Sequence, residues 1–192
     1  MAELFAIAFG AIFVNNFVLT RFLGICAFLG VSKSQDTAMG MGLAVIFVMT
    51  VAGATTYIID TYILQVLGIG YMFNIMFIMT IAAIVQVIEM VIKKVSPQLY
   101  EALGVFLPLI TTNCAILGVT VLNLQLEYTF IQAVVHAFAA GAGFLIAIVT
   151  FAGIRERIEH SDIWWPFKGL PIALMVAAFM STAFGAFQGI VG

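Results

Sequence analysis

The chain has 192 residues, of which 64% are hydrophobic and only 8% charged, with a mean hydropathy of +1.21 and a formal net charge of −2. So few charges cannot cover a water-facing surface, which excludes a soluble globular domain and implies a polytopic membrane protein. Its 7 basic residues are too few and too scattered for a phosphate-binding patch, so a nucleic-acid interface is excluded as well.

The first apolar run covers residues 3–30, about 28 residues or roughly 42 Å as a helix, longer than a bilayer core of ~30 Å. It also contains Asn15, Asn16 and Arg21, so it must tilt, break or protrude. Glu3 stands where a signal peptide would have a basic region, so the segment is expected to remain as a membrane helix. Arg21 is the one basic residue inside a span. It either snorkels to a lipid headgroup or offsets negative charge, at a metal-thiolate centre or on a partner's carboxylate.

Further spans are expected near 38–59, 70–92, 102–122, 129–152 and 170–190, six in all. Basic residues fall in connections one, three and five (Lys33; Lys93 and Lys94; Arg155, Arg157 and Lys168) and not in two and four. Both termini are therefore expected on the outer side. All five tyrosines and both tryptophans fall near span ends, where amphipathic rings prefer to sit. Asp60, Glu89 and Glu101 read as ordinary interfacial carboxylates, His136 as a hydrogen-bonded packing residue, and Gln86 and Gln132 as interhelical hydrogen-bonders. Glycines such as Gly42, Gly53, Gly141 and Gly143 let helices approach closely.

The fourth span carries its own interruption. Pro108 is followed by Thr111, Thr112 and Asn113, residues that prefer helix N-caps to helix interiors, and a new helix is expected to start at Cys114. The free N–H groups of a restarted helix would favour a thiolate there.

Cys114 also belongs to a repeat. Cys-Ala-Phe-Leu-Gly-Val-Ser from Cys26 to Ser32 is echoed by Cys-Ala-Ile-Leu-Gly-Val-Thr from Cys114 to Thr120, an offset of 114 − 26 = 88 residues, and these are the only two cysteines. Chance likeness between apolar heptads is the bland explanation. A duplication instead gives one membrane domain over 1–192, with halves of approximately 1–95 and 96–192 and three spans in each. An odd number of crossings inverts the second half. The fold expected is thus all-α, six transmembrane helices in two inverted three-helix repeats with helices 1 and 4 interrupted, bringing the two thiols together from opposite faces.

Two thiols are half of the four ligands that an iron-sulfur cluster or a closed tetrahedral site requires. The other half would come from a second chain. A disulfide between Cys26 and Cys114, or inert packing of both, competes with this reading.

The run from Asn15 to Lys33, the run from Thr37 to Leu43, the run from Leu107 to Val119 and the segment Ile154-Arg-Glu-Arg157 closely resemble the A-type membrane subunits of Rnf electron-transport complexes, over essentially the whole chain. The related subunit of the sodium-pumping NADH:quinone oxidoreductase matches less well around both cysteines. Ala27 is a departure, since many relatives have proline there.

The resemblance implies that Cys26 and Cys114 supply half the ligands of an iron-sulfur centre, thought to be 2Fe-2S, and that a homologous membrane protein, the E-type subunit of the same complex, supplies the rest. It implies a relay in the bacterial inner membrane, passing electrons between a cytoplasmic iron-sulfur subunit and outer-side flavin-bearing subunits. The complex would couple electron transfer between ferredoxin and NAD to Na+ or H+ movement. No flavin or nucleotide motif lies on this chain, so no complete active site is expected on it alone. An inverted-repeat secondary transporter and a membrane thiol-disulfide redox protein remain the alternatives from other classes.

Overall fold

A computed structural model describes residues 2–64, 66, 72–95, 107–159 and 164–191, and among them there is no β-strand. The expected placements of Tyr71, Tyr100 and Glu101 lie outside the described residues.

Helix α1 (Ala2–Phe9) continues as a wider π turn over Gly10–Val14 and then stops. Residues 15–24 are irregular, and the chain re-enters a helix at α2 (Ile25–Val31). Irregular backbone is tolerated at membrane depth only when protein satisfies its polar groups, and Asn16 does most of this. Fully buried, it donates through Nδ2 to the Gly143 carbonyl at 2.9 Å and to the Ile12 carbonyl at 3.2 Å. Its Oδ1 accepts from the Val18 and Leu19 N–H groups at 3.1 and 3.3 Å. The Leu19 carbonyl accepts from Ser181 at 2.6 Å. Phe17, Val18 and Leu19, apolar but not helical, plug into the core.

Helix α3 (Gln35–Ile59) starts at Ser34, whose hydroxyl accepts from the Thr37 N–H, the usual arrangement of a serine N-cap. A break was expected at Asp60-Thr61, but the helix runs on as a π turn over Asp60–Leu64. Helix α4 (Phe73–Val95) follows. Then come the short α5 (Leu107–Thr111), a two-residue break at 112–113, and α6 (Cys114–Gln125). Helix α7 (Phe130–Glu159) absorbs Arg155 and Arg157, expected in a connection, into its final turns. Helix α8 (Leu170–Val191) closes the described chain after a 3-10 turn at Trp165–Phe167.

Among the described residues, three helices are long and apolar enough to cross a membrane, Gln35–Leu64, Phe73–Val91 and Phe130–Glu159, and three shorter apolar helices occur at Glu3–Val14, Leu109–Gln125 and Leu170–Ala186. At the centre α3 packs against α7. A Cβ on Gly53 would meet Ala137 Cβ at 2.8 Å, one on Gly141 would meet Ile46 Cα at 2.8 Å, and one on Gly42 would run into Leu145. Partners on α7 fall as positions on α3 rise, so the two helices are antiparallel. Small residues at the crossing bring their backbones together, as lipid-embedded packing requires when hydrophobicity alone supplies no drive.

Candidate metal centre

Both helix interruptions end with a cysteine in the first turn of the helix that follows. Cys114 is the first residue of α6, and Asn113 is its N-cap: the Asn113 Oδ1 accepts from the Ala115 N–H at 3.0 Å. This is the restart expected from Thr111, Thr112 and Asn113. Cys26 is the second residue of α2, where the cap position is Gly24, at φ +84°. Pro108 lies in the first described turn of α5, Thr111 ends that helix and Thr112 forms the turn between α5 and α6.

The two restarts meet. The Gly24 N–H, two residues before Cys26, donates to Cys114 Sγ at 2.8 Å across 90 residues of sequence. A Cβ on Gly24 would stand 3.1 Å from each of Ala115 Cβ, Asn113 Oδ1 and Phe144 Cε2. One turn further along α6, a Cβ on Gly118 would lie 2.6 Å from Leu23 Cδ1. The irregular stretch before α2 is therefore clamped against the first turns of α6, and only glycine fits at the tightest point.

Both thiols are free and both are exposed, while Ala27, Phe28, Asn113, Ala115 and Ile116 around them are buried. Unpaired cysteine is among the residues most often buried. Two exposed thiols at converging helix starts are therefore a candidate for half of a site. Asn113 supports the fit of an acceptor-rich group, because its Nδ2 is buried without a hydrogen-bond partner while its Oδ1 is committed to the cap. Thiolate and sulfide sulfurs are acceptors, and an unpaired buried donor is costly without one. Among the described residues, no group of three or more His, Cys, Asp or Glu side chains could hold a metal ion.

Arg21 lies elsewhere. It is exposed, with its guanidinium 5.8 Å from the Phe17 ring centroid. It lines a cavity of about 430 Å³ with Asn15, Leu122, Leu126, Tyr128 and His136. Leu122 is eight residues beyond Cys114, roughly 12 Å along α6, so Arg21 faces the far end of that helix rather than the sulfur.

His136 is buried there as a packing residue, its Nδ1 2.6 Å from Asn123 Oδ1. Since Asn123 Nδ2 donates to the Ala133 carbonyl and its Oδ1 can only accept, the hydrogen on His136 is assigned to Nδ1. A second cavity, about 360 Å³ and lined by Thr56, Asp60, Asn123, Glu127 and Tyr128 among others, adjoins the same histidine-asparagine pair. Neither cavity is lined by a cysteine.

Two residues at the centre gave little sign of themselves in sequence. Gly24 carried no reading of its own in the apolar run 3–30. Arg155 read as a loop charge, yet from α7 it donates to the Leu29 carbonyl at 2.9 Å and Ser32 Oγ at 3.0 Å, capping the end of α2.

Comparison with known proteins agrees with a redox setting. The family model described as Rnf-Nqr subunit, membrane protein, matches residues 4–191. The A-type subunit of the Na(+)-translocating ferredoxin:NAD(+) oxidoreductase complex of Acetobacterium woodii is 58% identical over 183 residues, covering 95% of each chain. The A-type subunit of the ion-translocating oxidoreductase complex of Vibrio atlanticus is 51% identical over 191 residues, covering 100% of both chains. Its counterpart in Vibrio cholerae serotype O1 is 50% identical over the same length, with 100% of this chain and 99% of the relative covered.

Proposed function

The chain belongs to the Rnf-Nqr family of membrane subunits, and from that premise we propose that Cys26 and Cys114 hold one half of an intramembrane iron-sulfur centre whose other half is held by a homologous membrane subunit of the E type. The chain is the A-type membrane subunit of an ion-translocating ferredoxin:NAD oxidoreductase complex. Within it the chain relays electrons across the bacterial inner membrane between a cytoplasmic iron-sulfur protein and flavin-bearing subunits, with both termini on the outer side.

The observation that carries this reading is the junction of the two helix restarts, with Gly24 bonded to Cys114 and both thiols turned outward. A lone exposed cysteine would not by itself make a site. Two at one junction, in a chain with no others, fit a shared site. Six spans in inverted repeats are supported by the central pair: α3 and α7, each the helix that follows a cysteine-bearing half-helix, run antiparallel, and each extends over 30 residues when the π turn of α3 is included.

When bound, the centre would supply a one-electron carrier in the middle of the low-dielectric core. The chain's own residues do the rest. Half-helices α2 and α6 start against one another and leave both cysteines exposed, while Phe28, Ile116 and Phe144 pack in the buried interior.

Electron transfer in the purified complex tests the proposal. With Cys26→Ser or Cys114→Ser, an assembled complex given reduced ferredoxin should leave the outer-side flavins oxidised. Flavin reduction at the unaltered rate in either variant would overturn it.

A further inference from the structure

We infer that Gly24 is a positioning residue for the centre: its backbone N–H is a fixed hydrogen bond to the Cys114 sulfur that sets the orientation of that ligand and raises the potential of the site. The inference rests on the reading of Cys114 as an iron ligand given above. It goes further by assigning a role to a residue that bears no ligating atom.

Three observations converge on Gly24. Its N–H lies 2.8 Å from Cys114 Sγ. Its φ of +84° is open to glycine and strained for an L side chain. The space a Cβ would occupy is closed by Ala115, Asn113 and Phe144, each at 3.1 Å. The donor therefore sits in a socket that fixes both its direction and its distance. Two of the three walls, Asn113 and Ala115, flank the cysteine itself.

The consequence is chemical asymmetry. Among the described residues Cys26 Sγ has no hydrogen-bond donor, whereas Cys114 Sγ has one. An N–H donor withdraws charge from a thiolate, and hydrogen bonds to the sulfurs are among the terms that set the potential of an iron-sulfur centre. The added electron raises negative charge on the sulfurs, so the bond is stronger in the reduced state and shifts the potential upward. Because the donor belongs to the first half of the chain and the acceptor to the second, the same bond also locks the two thiols into register.

The test uses the intact complex, labelled with 15N-glycine, reduced and examined by pulsed electron paramagnetic resonance. In the unaltered protein the paramagnetic signal that depends on Cys114 should show a weak coupling to a glycine nitrogen. Gly24→Ala should abolish that coupling and lower the midpoint potential. Adding Ala115→Gly, which opens one wall of the socket, should recover part of the potential.

No glycine coupling in the unaltered complex overturns the inference even if the variant fails to fold. An unchanged potential in a folded Gly24→Ala complex of full iron content does the same. Absence of any Cys114-dependent signal in the unaltered complex would instead sink the metal-centre reading itself.

Discussion

Asn113 shows how one side chain joins structure to chemistry. Its Oδ1 caps α6 through the Ala115 N–H, while its buried Nδ2 has no partner within the chain. Removing an N-cap acceptor costs about 0.5–2 kcal/mol. Asn113→Ala should therefore lower the thermal stability of the purified complex by roughly that amount, whereas Asn113→Asp, which keeps the acceptor, should retain the cap. Equal melting of Asn113→Ala and the unaltered complex would show that the cap contributes nothing. The cap was readable from Thr111-Thr112-Asn113 because capping is local: the residues that signal the break also make it. Gly24 was not readable in the same way, since its partner, Cys114, lies 90 residues away. Arg21 was expected within a span and lies in the irregular stretch between helices; the residues that line a cavity with it, Tyr128 and His136, come from the other half of the chain and left no trace near it in sequence.

Among the elements, α2 is the most dependent on its surroundings. At 7 residues it is too short to be stable in isolation in water. The Gly24 bond holds its start and the Arg155 guanidinium its end. The run 3–30 announced an interruption through its length and its two asparagines. It did not reveal that the break extends over 15–24, because Phe17, Val18 and Leu19 look like span residues and are buried outside any helix. Helix ends were misjudged where π turns or long helices carried the chain past polar residues, as at Asp60 and Arg155.

The α3–α7 crossing yields a graded prediction. At Gly141 an added methyl would meet the backbone of Ile46 at 2.8 Å, whereas at Gly42 its nearest obstacle is the movable tip of Leu145, with the Leu145 backbone farther off at 3.2 Å. Backbone cannot give way as a side chain can, and overpacking costs about 1–3 kcal/mol. Gly141→Ala should accordingly melt well below Gly42→Ala in a detergent-solubilised thermal scan. The reverse order would contradict this packing.

At the scale of the whole molecule, composition and run length were enough to identify an all-helical membrane chain, since hydropathy acts on every residue independently of its neighbours. The duplicated heptad and the count of thiols pointed to where chemistry should be sought. What sequence could not supply was the junction itself: antiparallel repeats alone leave the two cysteines anywhere along their helices. Gly24 and the irregular stretch before it bring the first half against the second, leaving both sulfurs at the chain's surface. On the proposed reading that surface is the boundary with a second chain, because an iron-sulfur centre needs four ligands and this chain has two cysteines.

The most direct measurement is the iron and acid-labile sulfide content of the anaerobically purified complex, with its reduced paramagnetic spectrum, before and after Cys26 and Cys114 are both changed to serine. The account predicts loss of one centre's worth of iron and sulfide and of one spectral component, with all protein components of the complex still present. Full iron, full sulfide and an unchanged spectrum in the doubly substituted complex would contradict it.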